Sequence, residues 1–148
     1  MKRIPTIGKY ILKGKRVYQC KDLLEWGKWL EVAKEERIVK QNLLLNGYYV
    51  STVFLGLDHN LTGKGRPLLF ETMVFDDLFK SEYGGLGSDL YQYRYSTWKE
   101  AMSGHIKIEK EWQNKNLHRV PLFLFVRGVR FLNRLYRKKI LKNLKEKK

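Results

Sequence analysis

The spacing of hydrophobic and polar residues changes period several times along this chain, and the changes mark its elements. In "NGYYVSTVFLGLD" (46–58), Val50, Thr52 and Phe54 fall on one side and Ser51, Val53 and Leu55 on the other. A period of two predicts a strand. "PLLFETMVFDD" (67–77) is a second strand, with only Glu71 charged inside it, and "HNLTGKGR" between them is the tip of an antiparallel hairpin. "LYQYRYS" (90–96) is a third, with Tyr91, Tyr93 and Tyr95 on one face and Gln92 and Arg94 on the other; "SEYGGLGSD" (81–89) is the turn before it. "KYILKGKRVYQC" (9–20) reads as a further hairpin, turning at Lys13-Gly14.

Two segments change to helical spacing. In 21–36, Asp22 is a cap with Glu25 three residues on, and Leu23, Trp26, Leu30 and Ala33 form a stripe. Gly27 costs such a helix about 1 kcal/mol, which predicts close packing against the sheet. In 96–113, Thr97 is the cap, Glu100 follows at the same spacing, and Trp98, Ala101, Met102, His105, Ile108 and Trp112 share one face. The fold class is α+β: an antiparallel sheet of N-terminal hairpin plus three-strand meander, with two helices on one face. Beyond it, a break at Pro121 precedes a C-terminal basic amphipathic helix. Phe125, Val129, Leu132, Tyr136 and Ile140 fall together on its wheel. Arg127, Arg130, Arg134, Arg137, Lys138, Lys142 and Lys145 lie opposite, with Phe131 among them. The expected organisation is a globular domain over 1–115, a linker over 116–121 and a helical tail over 122–148.

Charge sharpens this division. The 148 residues carry a net charge of +15. Residues 116–148 hold eleven Lys/Arg against the lone Glu146, whereas residues 1–115 hold nineteen against fourteen. A block this basic points to a polyanionic partner. With 43% hydrophobic residues the chain can bury a core, and no apolar run approaches the roughly 20 residues of a membrane span. The single Cys20 forms no internal disulfide. With no secretory signal read at the start, the expected location is the cytoplasm.

"VSTVFLGLDHN", "PLLFETMVF" and "YRYSTWKEAMSGH", in that order, resemble a family of small proteins encoded by bacteriophages and prophages, over roughly residues 17–110. The resemblance implies a phage accessory protein of the kind that binds and redirects or blocks a host component, with the bacterial host's cytoplasm as its place. It implies no catalytic residue. The basic tail beyond Asn116 extends past the point where members of that family usually stop.

Several residues have chemistry to weigh. Asp58 and His59, with Glu71 or His105, have the residue types of an acid/base pair or a metal half-site. No Ser or Cys nucleophile stands in a recognisable setting, and the three His residues show no ligand spacing, so a turn at the strand end is the plainer reading. "TGKGRP" (62–67) offers Gly63, Gly65, Lys64 and Arg66 to a phosphate but lacks Walker A spacing. The three Tyr residues with Arg94 offer a stacking surface, although half-buried strands favour Tyr in any case. His105, on its apolar stripe, reads as a packed, hydrogen-bonded residue.

The tail departs from an ordinary solvated face, because its charges are of one sign. Arg127, Arg130, Arg134 and Arg137 suit phosphates, Lys138, Lys142 and Lys145 extend the patch, and Phe131 can stack or insert. Lys64, Arg66 and Arg94 are the expected auxiliary contacts. The resulting expectation is a non-enzymatic phage accessory protein that binds nucleic acid, RNA rather than DNA, or a host ribonucleoprotein. Inhibition of a host defence nuclease, in the manner of an anti-CRISPR protein, is one form of that role. No cofactor or metal is expected. The alternatives are a phosphate- or nucleotide-binding protein or enzyme using Asp58, His59, Lys64 and Arg66, and a peripheral membrane-surface protein using the tail. Packing of the tail's apolar side on the domain, or on a second copy as a homodimer, is compatible with the leading reading.

Overall fold

The computed structural model describes residues 7–76 and 89–145, except for the side chains of Phe123, Tyr136 and 139–145. It is an α+β fold. The turn expected at 81–89 lies, apart from Asp89, outside the described residues.

Strands β1 (Tyr10–Lys13) and β2 (Arg16–Gln19) form the expected hairpin as a separate two-stranded sheet. Lys13 pairs with Arg16, so Gly14 and Lys15 make a two-residue turn, and Gly14 takes the left-handed φ of +61° that such a turn requires. Tyr10 N donates to Gly56 O at 2.8 Å, joining this hairpin to the main sheet.

The main sheet has four antiparallel strands in chain order: β3 (Ile38–Leu43), β4 (Tyr48–Phe54), β5 (Phe70–Asp76) and β6 (Asp89–Tyr95). The meander thus contains one strand more than its hydrophobic pattern predicts. β3 is an edge strand with Lys40, Gln41 and Asn42 in its middle, so it carries little apolar signal. Its trace in the sequence is the pair Ile38-Val39 and the turn Asn46-Gly47, with Gly47 at φ +86°.

Val50, Thr52 and Phe54 of β4 point to the side covered by α2 (Trp98–Gln113). Ala101, His105, Ile108 and Trp112 are the buried residues of α2, and Trp98 and Met102 pack beside them, as the stripe predicts. Thr97 Oγ1 accepts from Glu100 N, and the Glu100 carboxylate accepts from Thr97 N, a complete capping box. α1 (Leu23–Val32) begins at Asp22, whose Oδ1 accepts from Leu24 N and Glu25 N at 2.7 and 2.9 Å. Three of the four residues of its expected stripe face inward: Trp26 Nε1 donates to Gly56 O at 2.9 Å, Leu30 lies beside the same glycine and Ala33 is buried. Leu23 departs from it and is exposed, and Trp29, outside the stripe, meets Phe54 edge-on. Nor does Gly27 pack closely: a Cβ there would meet nothing within 4 Å.

The core lies between the sheet and α2. Leu12, Val39, Phe54, Leu69, Phe70 and Ala101 form one cluster, joined by Trp29 of α1, so both helices serve the same face. Leu44, Tyr48, Val50, Val74, Ile108 and Trp112 form the other, at the far end of α2. Full burial of Phe54 or Phe70 contributes about 2–3 kcal/mol each.

Candidate nucleic-acid interface

The tail is positioned by polar contacts at the C-terminal end of α2. Asn46, 1% exposed, points its side-chain amide at the last carbonyls of that helix, reaching Trp112 O at 2.8 Å and Lys115 O at 2.6 Å. Trp112 O also accepts from Lys115 N at 3.1 Å, and the buried amide adds a second donor there and one for Lys115 O just past the helix end. Asn116 then takes a left-handed conformation, φ 50°, and its Nδ2 donates to Tyr48 Oη at 2.6 Å. Asn tolerates this region better than most residues. The chain turns through a single 3₁₀ turn, Leu117–Arg119, and enters α3 (Val120–Lys145).

Arg119 secures this junction. Its guanidinium donates to Asp76 Oδ1 at 2.6 Å and lies 4.4 Å over the Tyr48 ring. Both members of the ion pair are mostly buried. Pro121, expected to mark a break, sits instead in the first turn of α3, where its missing N–H costs nothing and its fixed φ suits the helix. The expected linker is therefore a structured corner.

At 1.5 Å per residue, the 26 residues of α3 extend about 39 Å. Eight are Lys or Arg, and none is acidic. Arg127, Arg134, Arg137 and Lys138 are exposed and Arg130 is partly so. Phe131, 60% exposed, shares their side of the helix. Lys142 and Lys145 belong to α3, but their side chains lie outside those described. The apolar side of α3 does not close on the domain: Leu122, Phe125, Val129, Leu132 and Leu135 are 40–69% exposed.

The auxiliary cations have internal partners. Arg66 Nη2 donates to Glu100 Oε1 at 2.6 Å, tying the hairpin tip to the first turn of α2. Arg94 Nε donates to Glu71 Oε1 at 2.8 Å, and Gln92 Nε2 reaches the same oxygen at 2.6 Å. Their positive charges are matched within the fold. Lys64 remains exposed at the hairpin tip.

Asp58 and His59 perform local structural tasks. Asp58 Oδ1 accepts from Asn60 N at 2.8 Å and Leu68 N at 2.9 Å, closing the base of the loop. His59 Nδ1 lies 3.0 Å from Leu57 O. Asn60 holds the tip, with Nδ2 donating to Lys64 O and Arg66 O at 2.7 and 3.0 Å. Asp58, Arg66 and Glu71 are thus engaged in three separate contacts, with Glu71 on the sheet face turned away from α2. Among the described residues no group of three His, Cys, Asp or Glu side chains could hold a metal.

The three tyrosines divide. Tyr91 packs edge-on to Trp112, Tyr95 packs against the core and under Gly104, and only Tyr93 is largely exposed. His105 is fully buried in a polar chain that sequence reading does not specify. Its Nδ1 lies 2.7 Å from Thr52 Oγ1, which lies 2.6 Å from Thr72 Oγ1, and its Nε2 lies 3.0 Å from Asn42 Oδ1. With Asn42 accepting, the neutral ring carries its proton on Nε2 and accepts from Thr52. Burial, helped by the nearby Lys40 ammonium, lowers the His105 pKa to about 4.

Comparison with protein-family models, with curated proteins and with solved structures finds no match.

Proposed function

We propose that this chain is a non-enzymatic nucleic-acid-binding protein whose contact surface is the basic side of α3, with RNA favoured over DNA. The observation that carries the reading is a 26-residue helix with eight cations, no carboxylate, and Arg127, Arg134 and Arg137 exposed. A surface of one sign and this length tracks a phosphate backbone, and counterion release supplies the affinity. The planar forks of Arg127, Arg130, Arg134 and Arg137 bind phosphate oxygens in pairs, whereas Lys138, Lys142 and Lys145 act as point charges. Phe131 among them offers a ring to an unpaired base, which favours single-stranded RNA. Lys64 is the exposed auxiliary contact at the hairpin tip, and Arg66 and Arg94 add to it while also holding ion pairs within the fold.

The resemblance to phage accessory proteins gives this activity a setting in the host cytoplasm. The partner is then a host RNA or ribonucleoprotein, and obstruction of a defence nuclease is the strongest form of the proposal.

Anisotropy of a labelled single-stranded RNA, titrated at several salt concentrations, tests the reading. Each engaged phosphate contributes about −0.7 to the slope of log affinity on log salt, so six contacts give about −4. Arg130→Glu with Arg134→Glu is expected to abolish most of the binding. A flat salt response, or binding unchanged in that variant, overturns the proposal.

A further inference from the structure

We infer that α3 pairs with α3 of a second copy of this chain, through a two-heptad apolar seam, and so presents two basic surfaces on one assembly. The inference rests on α3 being the nucleic-acid element only for the use of the pair, not for its formation.

The spacing carries the argument. Leu122, Phe125, Val129, Leu132 and Tyr136 follow one another at intervals of three, four, three and four. That is the a and d repeat of a coiled coil, in which each side chain inserts between four residues of the facing helix. The described members are exposed by 54% at Leu122, 69% at Phe125, 40% at Val129 and 63% at Leu132. A seam of this regularity is not needed for nucleic-acid contact, and the domain does not bury it.

The flanks identify the occupant. Within the two heptads the e and g positions beside the seam are Val126, Gly128, Asn133 and Leu135, all uncharged. The cations from Arg127 to Lys138 occupy the outer positions, Arg127 and Arg134 at f, Arg130 and Arg137 at b, Lys138 at c, and Lys139 and Lys142, at the next d and g, end the seam at Tyr136. An acidic partner helix would seek cations at e and g, where the two heptads from Leu122 to Tyr136 have none. An anionic lipid surface would draw them to headgroup level beside the stripe, whereas here they stand behind it. A second copy meets neither problem, because two such helices join along these two heptads without bringing like charges into the interface, and Lys139 and Lys142 limit the pairing to that length. Gly128 suits close approach, since space around it is open. Two heptads are short, about 21 Å from Leu122 to Tyr136, so the pair is expected to be weak and concentration-dependent.

Sedimentation velocity of the full chain over a concentration series tests this, against the double variant Phe125→Lys with Leu132→Lys. Both residues are exposed, and circular dichroism checks that the variant folds. The expected result is a reversible dimer for the native chain and a monomer for the variant. The variant should also bind a long single-stranded RNA about 10²-fold more weakly, despite two added positive charges, because two linked contacts have become one. Arg130→Glu with Arg134→Glu should lose RNA but still dimerise, which separates failure of this inference from failure of the nucleic-acid reading. A native chain that stays monomeric throughout the series overturns the pairing. So does one that is monomeric and floats with vesicles containing anionic lipid, which would assign the seam to a membrane surface.

Discussion

Thr52 of β4 and His105 of α2 meet at 2.7 Å in the centre of the molecule, where both are fully buried. The bond links sheet to helix through groups that are costly to bury unpaired. Asn42 and Thr72 complete the set, so the ring is held neutral with a partner at each nitrogen.

This arrangement makes the fold sensitive to acid. The His105 pKa is about 4 in the folded chain against 6.5 unfolded, so the unfolded chain binds the proton more readily. Stability is fully present above about pH 6.5 and is lost as pH falls towards 4, by about 3 kcal/mol over the window. Urea unfolding at pH 7 and at pH 4.5 measures the loss. His105→Gln should be less stable at pH 7 yet show a flatter dependence across the same range. An equally steep dependence in that variant would assign the acid response to other groups.

Two glycines should respond in opposite directions. Gly27 lies in α1 with open space around it, so Gly27→Ala is expected to stabilise by about 0.5–1 kcal/mol through helix propensity. A Cβ on Gly104 would overlap the ring and hydroxyl of Tyr95, so Gly104→Ala should destabilise by about 1–3 kcal/mol. The Tyr95→Leu background should reduce that second cost. Thermal unfolding of the single and double variants, treated as a cycle, isolates the contact.

Arg119 is expected to hold the base of the tail. Arg119→Ala leaves the mostly buried Asp76 carboxylate without this ion pair and removes the cation from the Tyr48 ring. The expected cost is about 3 kcal/mol, the scale of breaking a buried pair from one side. Hydrogen exchange should rise at residues 115–121 before it rises in α2. Uniform change across both segments would show that the corner is not held by Arg119.

Much of this fold is legible in the local pattern. Strands β4, β5 and β6, the first hairpin and the buried face of α2 follow from periodicity, because the side chain's direction repeats with the backbone. The α2 stripe from Trp98 to Trp112 is recovered in full. β3 is not, since an edge strand beside α2 can carry Lys40 and Asn42 and still satisfy them through Glu109 and His105. Leu23 misleads for the opposite reason: it has the right spacing but stands at the end of α1 that does not reach the core.

The candidate surface divides along the same line. Sequence alone determines that α3 is basic, amphipathic and free of acid, because charge and helical phase are local properties. Only the tertiary structure decides that Arg66 and Arg94 belong to Glu100 and Glu71, across 34 and 23 residues of chain, and that Asp58 closes a loop. The tertiary structure also decides that the apolar side of α3 stays uncovered while His105 is enclosed. Which groups find a partner depends on how distant segments meet, and no local pattern records that meeting.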